Sequence, residues 1–336
     1  MDKTTITGIA RTTGFSISTI SRVLNGKAEK YRISKKTVQI IEDEAQRCNY
    51  SPSMIARGLR TNKTHTIGLV VPCIDNPFFA NVASVIVREA KNAGYTIVLM
   101  DSAESETGEA ECVRSLLSHR IDGMIVVPCG TSPEHLERID REGVPVVLVD
   151  RYFENTVLPY VSTDNFSGAY EATEHLIGCG HRRIVCLQGI PSATPTRNRV
   201  AGYRKALADH GLADNALVVG NDFSVQNGYG ETKLLLTGGT PPTALFALSN
   251  TIALGAYKAI REAGLTVPHD LSLVCFDNYM YLDFLEPPVT RVAQPIDEIG
   301  VLAIKILLRT MEKRDEKPGQ LLLPPTLLLA KSVRQL

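Results

Sequence analysis

Residues 6–25 read ITGIARTTGFSISTISRVLN. Ile6, Ile9 and Ala10 recur at i, i+3 and i+4, which places them on one face of a short helix with Thr5 in front as its N-cap. Gly14 then offers a residue able to turn left-handed. Ser16 suits the N-cap of a second helix, 17–25, with Ile20, Val23 and Leu24 facing inward and Ser18, Ser21, Arg22 and Asn25 outward. A third helix is expected over 34–47, capped by Ser34, with Val38, Ile41 and Ala45 as its apolar stripe. Two short helices joined by a glycine-containing turn, with a third closing the core, describe a helix-turn-helix unit. The second helix of such a unit enters the major groove N-terminus first. Ile17 and Ser18 are therefore expected at base edges, Ile17 against a thymine methyl, and Arg22 one turn on at a guanine O6/N7 edge. Ser21 and Asn25 are expected at phosphates, which position without specifying.

The charge distribution agrees. The 336 residues carry 36 Lys and Arg against 36 Asp and Glu, a formal charge of zero that taken alone argues against nucleic acid. Residues 1–63, however, hold 12 basic and 5 acidic side chains, a net +7, and the other 273 hold 24 and 31, a net −7. A basic head precedes an acidic body, the asymmetry expected of a nucleic-acid-binding end.

This region resembles the lactose-repressor/galactose-repressor (LacI/GalR) family of bacterial transcription regulators. The resemblance lies in GIARTTGFSISTISRVLNG (8–26) and RISKKTVQIIEDEAQRCNYSPSMIARGL (32–59). Between them, GKAEKYRI (26–33) is a few residues longer than is usual in that family. Ser51 or Ser53 can cap a short helix after Tyr50, with Pro52 near its start. So short a helix, weakened by Gly58, should form only against a partner or DNA. The resemblance implies that two such hinge helices, one per subunit, pair in the minor groove, with Ala56 near its mate and Leu59 wedged between base steps. It also implies DNA contacts from Thr5, Ser16, Ile17, Ser18, Thr19, Ser21, Arg22, Asn25, Tyr50, Ser53, Ala56, Arg57 and Leu59.

From residue 65 the pattern changes. HTIGLVVP, YTIVLMD, IDGMIVVP and VPVVLVD read as buried strands, with helices over about 77–93, 106–120 and 132–142. A second set, RRIVCLQG, ALVVG, ALFALS and LSLVCFD, alternates with helices near 167–178, 197–210, 225–236 and 251–263. A late helix, 296–313, and an apolar tail follow. Two such sets predict two α/β lobes, each a doubly wound parallel sheet. Ligands of open α/β sheets bind beyond the carboxyl ends of the strands, so facing lobes define a cleft. The polar residues at strand ends are Asp101, Asp150, Arg151, Asp164, Asn250, Asp277 and Asn278.

The body resembles the same family and, through it, the type I periplasmic sugar-binding fold. That resemblance implies an effector cleft lined by Phe78, Phe79, Asp150, Asn165, Arg199, Phe223, Asn250, Asp277 and Gln294. The set suits a polyol: carboxylates accept from neighbouring hydroxyls, Arg199 donates to oxygens, and an aromatic face covers C–H groups. Plainer roles are open too: Arg199 as a helical ion-pair residue, Asp277 as a cap, Phe78 and Phe79 as core. Thr251 stands where the family often places Asp.

Other chemistry finds no support. There is no GxxxxGK[ST], no GxGxxG after a strand and no GxSxG elbow, so neither an enzyme nor a cofactor is expected. His175, Cys179 and His181 lie close in sequence but read as a helix end rather than a metal site. Seven cysteines, an odd number with no CxxC, suit reduced thiols in a cytoplasm. No stretch of about 18 apolar residues and no N-terminal apolar run are present, so neither a transmembrane helix nor a secretory signal is expected.

The expected organisation is a DNA-binding head at 1–50, a hinge at 51–64 and an effector-binding and dimerisation domain at 65–336. Its N-lobe is expected over about 65–162 and 293–322, its C-lobe over about 163–290 and 323–336. The expected function is a cytoplasmic, nucleoid-bound regulator that binds palindromic operator DNA as a homodimer or higher oligomer, a repressor controlled by a sugar-like effector. The competing expectation is a stand-alone sugar-binding protein of the periplasmic type.

Overall fold

The computed structural model describes residues 5–50, 63–239, 241–313 and 319–336, and the chain divides after Thr64 into two compact units.

Among its described residues the first unit holds three helices: α1 (Ile6–Thr13), α2 (Ile17–Leu24) and α3 (Lys35–Arg47). Each begins at a hydroxyl that accepts from a backbone N–H of the first turn. Thr5 Oγ1 takes Gly8 N–H at 3.3 Å, Ser16 Oγ takes Thr19 N–H at 3.1 Å, and Ser34 Oγ takes Thr37 N–H at 3.1 Å. Gly14 stops α1 with φ +72°, a conformation that disfavours residues with a Cβ. Ile9, Ile20, Val23, Ile41 and Ala45 form the buried core. Val38, Ala28, Ile33 and Tyr50 pack on it partly buried.

The second unit contains two six-stranded sheets. In chain order its elements begin with β1 (Thr66–Val71), α4 (Pro77–Asn92), β2 (Thr96–Asp101), α5 (Glu106–Ser118), β3 (Gly123–Val126), α6 (Glu134–Glu142), β4 (Val146–Val149) and β5 (Tyr160–Thr163). Then come α7 (Asn165–Gly178), β6 (Ile184–Leu187), α8 (Thr194–Asp209), β7 (Leu217–Val219), α9 (Val225–Thr237), β8 (Ala244–Ala247), α10 (Asn250–Glu262), β9 (Ser272–Phe276) and β10 (Thr290–Ala293). The unit ends with α11 (Ile296–Glu312), β11 (Gln320–Leu323) and β12 (Thr326–Leu328).

The sheet orders are β11-β5-β4-β3-β1-β2 and β12-β10-β9-β8-β6-β7, one pattern used twice. All neighbours run parallel except β12, which lies antiparallel to β10. The inner strands β3, β4, β6, β8 and β9 are buried throughout, as near-continuous apolar runs between helical layers require.

Each sheet contains strands that the periodicity does not reveal. Tyr160–Thr163 and Thr290–Ala293 are half polar, and Gln320–Leu323 and Thr326–Leu328 sit at edges. All four are defined by their partners rather than by alternation. They are also where the chain passes between sheets: after Thr163, after Ala293 and after Leu323. Helix α11 returns to the first sheet, placing Ile299, Ala303, Ile304 and Leu307 in the core with Ile67, Leu69, Val147 and Val161. Helix α8 starts at Thr194, three residues before the expected 197, with Pro195 in its first turn where a missing N–H costs nothing. Close approach also limits side chains here. A Cβ on Gly202 of α8 would lie 2.3 Å from the Phe166 carbonyl of α7, so these helices touch backbone to backbone.

Candidate functional site

On the head, the outward face of α2 has the predicted shape. Ile17 is 48% exposed, a large apolar side chain with no core to join, and Ser18 and Arg22 are exposed beside it. Ser16 Oγ lies 2.8 Å from both Ser18 Oγ and Thr19 Oγ1, so the first turn is a small hydroxyl network. Asn25, expected at a phosphate, closes the end of α2. Its amide donates back to the Ser21 carbonyl at 2.5 Å and to Ser21 Oγ at 3.3 Å, closing the helix end. Tyr50 packs on the head core and donates its N–H to Ala45 O. Ser53, Ala56, Arg57 and Leu59 lie outside the described residues.

In the second unit, a cavity of about 20 Å³ lies where strand ends of the two sheets meet. Phe78, Phe79, Asp150, Arg199, Phe223, Asp277 and Gln294 line it. Asn165 and Asn250 stand directly behind. Asn165 Oδ1 accepts from Arg199 Nε at 2.7 Å, and Asn250 N–H donates to Asp277 Oδ2 at 3.2 Å. Asn76, Arg151, Pro195 and Ser249 also line the cavity, and the expected set lacks all four. Arg151 was legible as a charged residue one step past a strand, but nothing local distinguished its role.

The elements explain the convergence. Asp150 and Asp277 each follow the last residue of a strand, β4 and β9, and both turn left-handed, at φ +63° and +76°. That conformation is uncommon outside glycine, though Asp and Asn tolerate it best, and it lifts each carboxylate off its sheet. Arg199 lies on the buried side of α8, with its guanidinium 3.7 Å from the Phe276 ring centre. It donates from Nε to Asn165 and from Nη1 to Leu248 O at 2.6 Å. Its ion pairing is through space: no carboxylate lies within salt-bridge distance among the described residues. Asp277 Oδ1 accepts from Gln294 Nε2 at 2.6 Å, and Gln294 Oε1 accepts from Thr163 Oγ1 at 2.6 Å. This chain runs through two of the three places where the polypeptide crosses between sheets.

Phe78 and Phe79 are both core and cavity wall. Each is buried among the first sheet's apolar residues, and their rings meet edge-on at 5.2 Å. Arg151 is held by Glu104 through two bonds, at 2.7 and 2.8 Å, with Phe79 and Phe223 rings 5.7 and 5.8 Å away. It is also part of the wall of a second, wider cavity of about 470 Å³, which Cys129, Tyr152, Thr194 and Arg197 help to line.

Burial pushes the Asp150 carboxyl up to about 6, against the pull of Arg199 and Arg151. Burial likewise holds Arg199 below its ordinary value, with Asp277 and Asp150 opposing. Asp150 Oδ1 and Asn250 Oδ1 are buried with no hydrogen-bond partner among the described residues. Buried acceptors are normally satisfied, so an unpartnered oxygen on the cavity-lining Asp150, with a second behind it on Asn250, points to a donor-rich guest. Other sequence candidates turn out to be structural. Asp164 caps α7 through Ser167, Asp101 accepts from Ile74 and Ala103 N–H, and Asn278 accepts from Arg291. Thr251, where a carboxylate was the family habit, donates to Phe223 O and so ties α10 to a cavity-lining residue. His181 Nδ1 lies 2.9 Å from Thr243 Oγ1, and no group of three His, Cys, Asp or Glu among the described residues is placed to hold a metal.

Comparison with known proteins decides the family. Residues 5–53 match the profile of "Bacterial regulatory proteins, lacI family", and residues 64–331 match "Periplasmic binding proteins and sugar binding domain of LacI family". The chain belongs to the LacI family of bacterial transcriptional regulators. It is 33% identical to the HTH-type transcriptional regulator DegA of Bacillus subtilis (strain 168), covering 99% of both chains. It is 32% identical to the ribose operon repressor of Haemophilus influenzae, again covering 99% of both. Among solved structures, the lac repressor dimer bound to operator and the anti-inducer ONPF superposes with a TM-score of 0.90 at 26% identity, over 99% of this chain and 100% of that one. A LacI-family regulator from Enterococcus faecium with bound ribose gives 0.74 at 28% identity, over 81% of this chain and 99% of that one. These LacI-family relatives are regulators, not enzymes, and no helix among the described residues is long and apolar enough to cross a membrane.

Proposed function

We propose that the protein is a bacterial repressor that binds palindromic operator DNA as a dimer and is controlled by a small polyhydroxylated effector. The observation that carries the effector reading is the cavity where Asp150, Arg199 and Asp277 converge, with the buried acceptors Asp150 Oδ1 and Asn250 Oδ1 unpartnered among the described residues. Hydroxyl donors would satisfy those acceptors, and Arg199 Nη2 is a donor for a ligand oxygen. The relatives named for ribose support a pentose-sized guest. Of the nine residues expected in the cleft, the seven that line the cavity are its contacts, joined by Arg151 and Ser249, and Asn165 and Asn250 support Arg199 and Asp277 from behind. The division into a head at 1–50, a hinge at 51–64 and an effector domain at 65–336 is part of the same reading, as is action in the cytoplasm on the nucleoid.

A cavity of about 20 Å³ admits little more than one water, so a sugar ring enters only as the lobes part. The Asp277–Gln294–Thr163 chain at the crossings is then the element whose arrangement the effector biases. An effector acts on DNA binding only through unequal affinity for the two arrangements.

The test is a thermal-shift screen of pentoses, hexoses and their derivatives, followed by operator binding with and without each hit. A ligand at a hundred times its Kd stabilises by about 2.7 kcal/mol. A hit that shifts the full chain equally when Arg199 is replaced by Ala would sink the assignment of the cavity. Retention of operator binding by residues 65–336 alone would sink the assignment of the head.

A further inference from the structure

The segment Gly26–Ile33, longer than the family resemblance leads one to expect, is a built element. Lys27 N–H donates to Arg22 O at 2.8 Å, Tyr31 N–H to Lys27 O at 3.3 Å, and Ile33 N–H to Ala28 O at 3.0 Å. Ala28 and Ile33 pack on the head core and pin the two ends of this compact turn. Arg32 sits left-handed at φ +52° and donates its N–H to Glu29 O, which tightens the exit. Pinned in this way, the turn brings Tyr31 back over α2, and its ring centre lies 4.0 Å from Arg22 Cζ. Tyr31 is 44% exposed, so burial does not explain where it sits. No carboxylate forms a salt bridge with Arg22 among the described residues, so the ring is the contact that orders it.

We propose that Tyr31 is a positioning residue for Arg22, and that through it the extended turn sets operator specificity. The inference rests on the reading of Arg22 as the base-contacting arginine. Guanidinium N–H donors lie in the plane of the group, so a ring against one face leaves the edge free for the paired acceptors O6 and N7 of guanine. An unsupported arginine has wide rotamer freedom and loses it on docking. One already ordered by an aromatic face loses less, and the gain appears only where the correct base is present. Tyr31 thus contributes discrimination at the base pair that Arg22 reads, rather than general affinity.

The experiment uses the full chain. Duplexes selected from a randomised pool define the operator, and Arg22→Ala identifies which base pair depends on Arg22. Affinities of wild type, Tyr31→Phe, Tyr31→Leu and the double variant Arg22→Ala/Tyr31→Leu are then measured at one salt concentration. The targets are the operator, the operator changed at that pair, and an unrelated duplex. Tyr31→Phe keeps the ring and should discriminate as wild type does. Tyr31→Leu should lose about two- to fivefold of the discrimination at that pair, with binding to the unrelated duplex unchanged. The double variant should discriminate no worse than Arg22→Ala alone. Unaltered discrimination in Tyr31→Leu, or an equal loss on all three duplexes, overturns the positioning role. Should Tyr31→Leu alter the melting of the head, Tyr31→Gln carries the same comparison. If Arg22→Ala leaves every base preference intact, the reading of Arg22 itself fails, and that result is separately visible.

Discussion

Asp150 and Asp277 occupy the same station in two different sheets. Each follows the third strand of its sheet, β4 in β11-β5-β4-β3-β1-β2 and β9 in β12-β10-β9-β8-β6-β7, and each turns left-handed there. The repeated topology thereby aims two carboxylates at one point, with Arg199 beside both. Two buried like charges are tolerable only with such a counter-charge, and the raised Asp150 value shows that the compensation is partial.

Removing the counter-charge should be costly. Arg199→Ala leaves both carboxylates buried and is expected to destabilise the effector unit by about 3–5 kcal/mol, read from urea denaturation. It should also abolish the effector-induced thermal shift at any ligand concentration the screen reaches. Normal stability in this variant would mean that water already reaches the site.

The Asp150 carboxyl predicts a pH dependence of definite sign. Its folded value, about 6, lies above the ordinary 3.8, so folding disfavours ionisation. Its contribution is most favourable below about pH 4, is lost as pH rises through 6, and amounts to a penalty of about 3 kcal/mol above that. Asp150→Asn should therefore gain stability relative to wild type between pH 4.5 and 7.5. Unfolding midpoints at the two pH values test this.

Effector affinity should run the other way. Only the ionised carboxylate accepts hydrogen bonds from hydroxyls at both oxygens, so binding should weaken about tenfold from pH 7.5 to pH 5. Isothermal titration across that range measures it. A flat profile would place the hydroxyls elsewhere.

Ile17 offers a test on the DNA side. An exposed isoleucine at the start of α2 fits a thymine methyl, so replacing the contacted thymine by uracil should weaken wild type and leave Ile17→Ala unaffected. Equal sensitivity of both proteins to that change would remove Ile17 from the base-reading set.

The head also has a thermodynamic signature. Among the described residues its core has five buried side chains, and Ile20→Ala should cost about 2–5 kcal/mol, enough to unfold so small a unit. Calorimetry should show loss of operator binding with the effector unit's transition unchanged.

The caps and stripe of the head were legible because they are local. Thr5, Ser16, Gly14 and the Ile20/Val23 face act within one helical turn, where residue type and spacing settle the outcome. The buried strands of the sheets were legible for a similar reason, as short apolar runs between helical stretches. Strands β5, β10, β11 and β12 were not, because their place comes from neighbours distant in sequence, such as Gln320 beside Tyr160 and Arg291 beside Leu328.

By itself, then, the sequence determined a three-helix basic head, an α/β body of two lobes, and the identity of most residues at the strand ends. Only the tertiary structure decided which strand ends meet. It excluded Asp101, Asp164 and Asn278 from the cavity, brought Arg151 and Ser249 into it, and laid Tyr31 over Arg22. The reason is physical: periodicity reports which face of an element is buried, whereas convergence of side chains depends on sheet order and on crossings between lobes. Those are contacts between residues far apart in the chain, and no local pattern records them.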